Sequence, residues 1–278
     1  IDAAREEGIR ITLIDACYLR GGLDGRPLEA EQLSFSDGDA DRWVRRVEEL
    51  KEADGVRIAA AIHSVRAVDP ESMRVVATYA REQRIPLHIH LAEQPAEVEE
   101  CLRVEGCTPA ELLEREGILG PDLTVVHAIH VTEHDVSVLG ANEVTVCACP
   151  TTERDLGDRV GPLVALADAG CSLAVGSDSN AVIDMLEEAR GAELDQRRAT
   201  GRRVLHEPEE LFSAATVNGM RSLGWDAGEL RPGMLADFVT LAQPSLPRRD
   251  INLGYVIFGC SRCDVTNVVV GGEPIIQR

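Results

Sequence analysis

The chain is poor in aromatic residues, at 3% of its 278 positions, and poor in positive charge, with 28 Lys and Arg against 48 Asp and Glu for a formal net charge of −20. So acidic a surface repels phosphate backbones and anionic lipid headgroups, and no Lys/Arg cluster offsets this locally, so neither nucleic acid nor a membrane surface is expected as a partner. A run of about eighteen apolar residues, which a membrane span needs, is also lacking. The N-terminus, Ile1-Asp2-Ala3-Ala4-Arg5-Glu6-Glu7, is a charged helical pattern without a signal-peptide core, which points to the cytosol. Because it begins inside that pattern and without a Met, the chain reads as a truncated fragment. No Gly-rich phosphate loop follows any strand-like run, which weakens a dinucleotide-binding reading.

What is present suffices for a sizeable core, since 44% of the residues are hydrophobic. Eight cysteines occur, but their spacing is irregular and Cys17, Cys147, Cys149 and Cys171 sit in apolar strand-like runs, so reduced buried thiols are expected rather than a disulfide scaffold. Cys260 and Cys263 have CxxC spacing without the second pair that a structural zinc site needs.

Periodicity predicts strands over 9–16, 57–63, 86–91, 123–127, 144–149 and 171–176. Helices are predicted over 41–53, 70–83, 96–103 with 109–116, 133–139, 161–169, 183–198 and 208–223. Asp69-Pro70 and Thr108-Pro109 are start signals, an N-cap side chain before a proline at the first helical position. Strand-then-helix repeats imply a parallel sheet, because a parallel neighbour requires a crossover. Six such units suit an open doubly wound sheet or six-eighths of a (β/α)8 barrel. After Trp225 the pattern changes to a β appendage with no convincing helix. The expected domains are therefore 1–225 and 226–278.

Six of the seven histidines precede position 135, and four lie at or beside the C-terminal ends of predicted strands, where a parallel α/β barrel builds its active site. In His88-Ile89-His90-Leu91-Ala92-Glu93 the two imidazoles share a strand face and Glu93 lies just past the strand end. Imidazole and carboxylate suit zinc, and an unligated Glu nearby suits proton transfer. His127 ends the next strand, Asp178 ends a later one, and His63 precedes Arg66, whose guanidinium can hold a carboxylate bidentately. Taken singly, each has an ordinary alternative: a hydrogen-bonded core His, a capping Asp, a surface salt bridge for Arg66. The acidic stretches 97–100 and 187–190 read as solvated helix faces. Thr151-Thr152-Glu153 is either a substrate loop or a helix cap.

The ordered set His90-x-x-Glu93, His127 and Ser177-Asp178 resembles the deaminase branch of the amidohydrolase superfamily, and Leu230-x-Pro-Gly233-x-x-Ala236-Asp237-Phe238 resembles the return into its small β-sandwich. The resemblance runs over nearly the whole chain. Within the branch, His63-Ser-Val-Arg66, His88-Ile-His-Leu-Ala-Glu-Gln94 and Cys149-Pro-Thr-Thr-Glu153 are similar to the formimidoylglutamate deiminases. The resemblance implies an α/β fold built on a TIM-type barrel with a β-sandwich, and hydrolysis of formimino-glutamate to formyl-glutamate and ammonia. It implies one Zn2+ held by His90 and Asp178, Glu93 as proton shuttle, His127 as relay, and His63 and Arg66 as substrate contacts. The partner is thus a small molecule, with room for a homodimer.

One departure stands out: the family places an HxH pair at the end of barrel strand one, and no such pair lies upstream of His63. If His88 and His90 were that pair, too few strands would follow to finish a barrel. As strand five they leave three, ending at Asp178. The expectation is a barrel lacking its first two strands plus the C-terminal part of the sandwich, weak in zinc binding and inactive alone. Two rivals remain: a deaminase of a nucleobase or thioadenosine-type ring, which would want aromatic stacking surface, and a metal-free remnant serving as a binding protein.

Overall fold

The computed structural model describes residues 1–242 and 251–277. In chain order the elements are α1 (Asp2–Glu6), β1 (Ile11–Cys17), a 3-10 turn (Leu33–Phe35), α2 (Ala40–Val47), β2 (Val56–Ser64), α3 (Pro70–Gln83), β3 (Leu87–Leu91), α4 (Pro95–Glu105) and α5 (Pro109–Arg115). Then come β4 (Leu123–His127), α6 (Glu133–Ala141), β5 (Thr145–Ala148), α7 (Pro150–Leu156), α8 (Leu163–Asp168), β6 (Ser172–Val175), α9 (Met185–Thr200), α10 (Pro208–Ala214) and α11 (Val217–Ser222). The C-terminal part holds β7 (Phe238–Leu241), α12 (Leu253–Gly259), a 3-10 turn (Arg262–Asp264), β8 (Val265–Val270) and β9 (Glu273–Gln277).

Strands β1 to β6 form one six-stranded sheet in chain order. The fold is α/β with a parallel sheet, and the order lacks the reversal that a doubly wound sheet contains. Among the described residues no β6–β1 pairing closes it, so the expected barrel is represented by this sheet alone. The expected sandwich is likewise represented by one antiparallel sheet, β7-β8-β9. Among the described residues no helix is long and apolar enough to cross a membrane.

Two compact units divide the chain. One comprises 12–146 and 165–172. Strand β2 is apolar on both faces, with Ile58, Ala59, Ala60, Ala61 and Ile62 all buried, the pattern of a parallel strand with neither face in water. The helices start where their caps dictate. Asp69 accepts from the Ser72 N–H ahead of α3, and reciprocal capping boxes at Thr108/Glu111 and Thr132/Asp135 open α5 and α6. Trp43, Met73, Leu112, Leu113 and Leu139 fill the helix side of the core, and the Trp43 indole N–H finds Asp15 at 2.9 Å. Gly140 lets α6 approach the backbone of Ala169; a Cβ there would lie 2.6 Å from the Ala169 Cβ.

The other unit comprises 1–11, 147–164 and 173–278. Here Arg190 of α9 donates to Ile257 O at 3.0 Å, at the end of α12. Asp237, from the 230–238 motif, accepts from Arg10 at 2.6 and 3.1 Å and from the Gly271 N–H at 2.7 Å, and the Arg10 guanidinium lies 5.3 Å from the Trp225 ring centre.

Two local expectations need correction, and one open reading is decided. The helix predicted over 208–223 is two helices, because Thr216 takes φ −130°, ψ −97° and returns its hydroxyl to Phe212 O at 2.7 Å. The C-terminal segment does contain a helix, α12. Its sequence Leu-Gly-Tyr-Val-Ile-Phe-Gly reads as a strand by propensity, but Asn252 caps it by accepting from the Tyr255 N–H at 3.0 Å. Thr151, Thr152 and Glu153 lie in the first turn of α7, so that stretch is helix rather than loop.

Candidate active site

The parallel register of β2, β3 and β4 brings three imidazoles into one row. Ser64 pairs with His90 and Leu91 with His127, so the ends of the three strands fall side by side and His63, His90 and His127 follow one another across them. The ring centres of His63 and His90 are 5.0 Å apart, and those of His90 and His127 5.7 Å apart at an interplanar angle of 18°. Tyr18, just past β1, stands edge-on to His63 at 4.4 Å.

Nδ1 of His90 lies 2.8 Å from the His63 carbonyl. A carbonyl can only accept, so Nδ1 carries a proton, and in the neutral ring Nε2 is then the lone-pair nitrogen. This is the tautomer a metal ligand needs. His63 is held neutral, with its pKa lowered to about 3 by burial first, then by His90 and Arg66.

Past β3 the chain turns sharply: Ala92 takes φ 49°, in the left-handed region, and Glu93 follows. The Glu93 carboxylate lies 3.8 Å from His127 Nε2 and 4.0 Å from an Arg66 nitrogen. Arg66 in turn lies 3.4 Å from Glu97, whose other oxygen accepts from the Ala92 N–H at 2.9 Å. Glu97 is 1% exposed, and burial pushes its carboxyl pKa up against the pull of Ala92 and Arg66. Its place at the third residue of α4 explains the reach. A Glu there points back over the helix start, and this one passes the cap to hold the strained residue before it. His127 (φ 75°) and Ala128 (φ 50°) form a second left-handed turn, with the Ala128 N–H on Leu91 O at 3.0 Å.

Asp178 belongs to the other unit, in the turn after β6, with φ 46°. Ser177 Oγ lies 2.9 Å from Asn180 Oδ1, and the Asn180 N–H donates to Ser177 O at 3.0 Å. In the same unit Cys149 precedes α7 and its N–H donates to Glu153 at 2.8 Å, while its thiol pKa is raised by a hydrogen bond with Cys147 and by burial. Thr151 donates from its hydroxyl and its N–H to Glu188, at 2.5 and 3.1 Å.

Of the six residues singled out in the sequence, His63, Arg66, His90, Glu93 and His127 stand together at the ends of adjacent strands, and Asp178 is described in the other unit. Tyr18 was not singled out, Thr152 was named only within the Thr151-Thr152-Glu153 stretch, and Glu97 and Glu188 only within stretches read as solvated helix faces. Glu97 and Glu188 are not on solvated faces: they are 1% and 0% exposed. For Glu97 a signal existed, an acid at the third position of a helix opened by Gln94-Pro95.

The Amidohydrolase family model matches residues 1–275, and the chain belongs to that family. It is 30% identical over 289 residues to a 5-methylthioadenosine/S-adenosylhomocysteine deaminase of Pelotomaculum thermopropionicum, with 99% of this chain and 63% of the relative covered. It is 29% identical over 289 residues to the formimidoylglutamate deiminase of Pseudomonas aeruginosa, at the same coverage. The crystal structure of an amidohydrolase from Brucella melitensis superposes with a TM-score of 0.91 at 30% identity, over 99% of this chain and 63% of that one. The chain thus spans 63% of the length of each of these relatives.

Proposed function

We propose that this chain carries the site of a zinc-dependent hydrolytic deaminase, and that its substrate is N-formimino-L-glutamate, converted to N-formyl-L-glutamate and ammonia. The observation that carries the deaminase reading is the His63–His90–His127 row with Glu93 beside it. The arrangement of His90 fits a metal held through Nε2, since Nδ1 is tied to the His63 carbonyl. Asp178 is the carboxylate ligand that the resemblance implies. A bound zinc would acidify water and polarise the carbon–nitrogen bond under attack.

The chain's own residues account for the proton traffic. Glu93 accepts a proton from the attacking water and delivers it to the imine nitrogen; it then carries the second proton, from the hydroxyl of the tetrahedral carbon, to the same nitrogen, so that the C–N bond breaks, ammonia leaves and the formimino carbon keeps the oxygen as a formyl carbonyl. His127, 3.8 Å from Glu93, orients that carboxylate and relays charge. His63, neutral over the working range, offers a hydrogen bond instead of a repelling cation. Arg66 holds a substrate carboxylate: its side chain is 36% exposed, and its inner side is already anchored by Glu97. The substrate itself rests on the His63-Ser-Val-Arg66 stretch and on the Pseudomonas relative.

A second reading, removal of the amino group from a thioadenosine-type ring, is favoured by the Pelotomaculum relative and by Tyr18, whose ring could flank a purine. Ammonia release from formimino-glutamate and from 5′-methylthioadenosine, measured on the protein at saturating zinc, separates them. Glu93→Gln is expected to lower the rate by about 10²–10⁴-fold on the true substrate. Near-normal release by Glu93→Gln would remove the shuttle assignment, and release from the nucleoside alone would remove the formimino-glutamate assignment.

A further inference from the structure

Thr152, in the first turn of α7, has a side chain that is 0% exposed and is committed wholly to the turn around Asp178. Its hydroxyl donates to Ser177 O at 3.0 Å and accepts from the Ser179 N–H at 3.1 Å, with Ser179 Oγ at 2.9 Å. A hydroxyl has one proton and two lone pairs. With the proton on the Ser177 carbonyl, the Ser179 amide and hydroxyl fill both lone pairs. Every partner is therefore the residue directly before or directly after Asp178, and Asp178 itself is held at φ 46°. A non-glycine residue in that region costs about 1–2 kcal/mol and persists only where its surroundings enforce it.

We propose that Thr152 is the positioning residue of Asp178: one buried hydroxyl clamps both flanks of the left-handed turn and so sets the direction of the carboxylate that Asp178 presents to zinc. The inference deepens the proposed function and rests on its reading of Asp178 as a metal ligand. Without the hydroxyl, the Ser177 carbonyl and Ser179 N–H lose their shared partner, the turn relaxes toward ordinary backbone, and the carboxylate swings with it. Thr151 supplies an internal control. It is buried in the same helical turn, at 6% exposure, but its bonds run to Glu188 and not to the Asp178 turn.

The test compares Thr152→Val, which keeps the shape and removes all three bonds, with Thr152→Ser, Thr151→Val and Asp178→Asn in the full chain. Zinc affinity is measured by competition with a chromophoric chelator, and ligand geometry by the visible spectrum of the cobalt(II)-loaded protein. Loss of an outer partner of a metal ligand lowers affinity about 10–100-fold, so Thr152→Val is expected to weaken zinc at least about tenfold and to alter the cobalt bands. Thr152→Ser restores both. Thr151→Val lowers the unfolding midpoint and leaves zinc affinity unchanged. Wild-type zinc affinity and cobalt spectrum in Thr152→Val, alongside a loss in Asp178→Asn, would overturn the positioning role and leave the ligand assignment standing. Unchanged affinity in Asp178→Asn would overturn the ligand assignment and this inference with it. Should Thr152→Val fail to fold, Thr152→Cys takes its place, because a thiol keeps the volume with weaker hydrogen bonds; weaker zinc binding is again expected, and wild-type affinity again overturns the positioning role.

Discussion

Glu97→Ala is the substitution on which the account of the His90–Glu93 turn can be tested most directly. Truncation leaves the Ala92 N–H without the acceptor it has at 2.9 Å, and an orphaned buried donor costs about 1–3 kcal/mol. Loss of a buried methylene adds about 0.8 kcal/mol. Removing a carboxylate that burial disfavours returns part of this, so the net expectation is about 2–3 kcal/mol. In a chain of 278 residues that corresponds to a fall in unfolding midpoint of about 3–5 °C, read by circular dichroism. Glu97→Gln keeps an acceptor oxygen for Ala92 and should lose less than about 1 kcal/mol. Glu99→Ala, at an exposed position of the same helix, should stay within about 0.5 kcal/mol of wild type. If Glu97→Ala melted with Glu99→Ala, Glu97 would be a passive buried acid and the support assigned to Ala92 would fail.

Two further outcomes follow from the packing. Gly140→Ala places a Cβ inside van der Waals contact with Ala169 O and 2.6 Å from its carbonyl carbon; overpacking against backbone outweighs the helix-propensity gain of about 1 kcal/mol, so a net loss of about 2 kcal/mol should lower the urea midpoint. An unchanged or raised midpoint would show that α6 can move away. For Glu188, burial raises the carboxyl pKa above its ordinary 4.5, so its favourable contribution is complete below about pH 4.5 and is lost as pH rises through the folded-state value. Glu188→Gln should therefore gain on wild type in thermal midpoint between pH 4 and pH 8, and a difference that stayed flat or reversed would contradict the burial argument.

The strands and their terminal histidines were legible because each is a short apolar run ended by a polar residue, and a parallel sheet then fixes the rest. Once β2, β3 and β4 are neighbours in register, His63, His90 and His127 have no freedom to be apart. Glu97 and Glu188 were not legible because both sit in acidic helix segments whose composition is that of a solvated face. Only the direction of the helix relative to the sheet tells which of several glutamates turns inward. Thr216 hid a helix break for a similar reason: its bond to Phe212 O is local, but nothing in the residue types shows that the backbone will leave the helix there. The motif at 230–238 was legible as a motif, while its use, Asp237 tying Arg10 to the Gly271 turn, joins parts of the chain more than 200 residues apart.

Two residues proposed for chemistry, His127 and Asp178, and the residue directly before a third, Glu93, share a backbone property. Ala92, His127 and Asp178 all take positive φ just past, or at the end of, a strand, and each such turn aims a side chain away from the direction the strand would give it. Left alone, each would relax. Ala92 is held by a carboxylate from α4, the His127–Ala128 turn by a carbonyl of β3, and the Asp178 turn by a hydroxyl from α7. In two of the three cases the holding group is the side chain of a residue in the first turn of the helix after a strand, Glu97 after β3 and Thr152 after β5. Helix starts are therefore where this fold keeps the supports of its strand-end turns. An acid or hydroxyl at the second to fourth position of such a helix, ordinarily read as a cap, is the place to look for the residue that fixes a functional side chain one turn earlier or on a neighbouring strand.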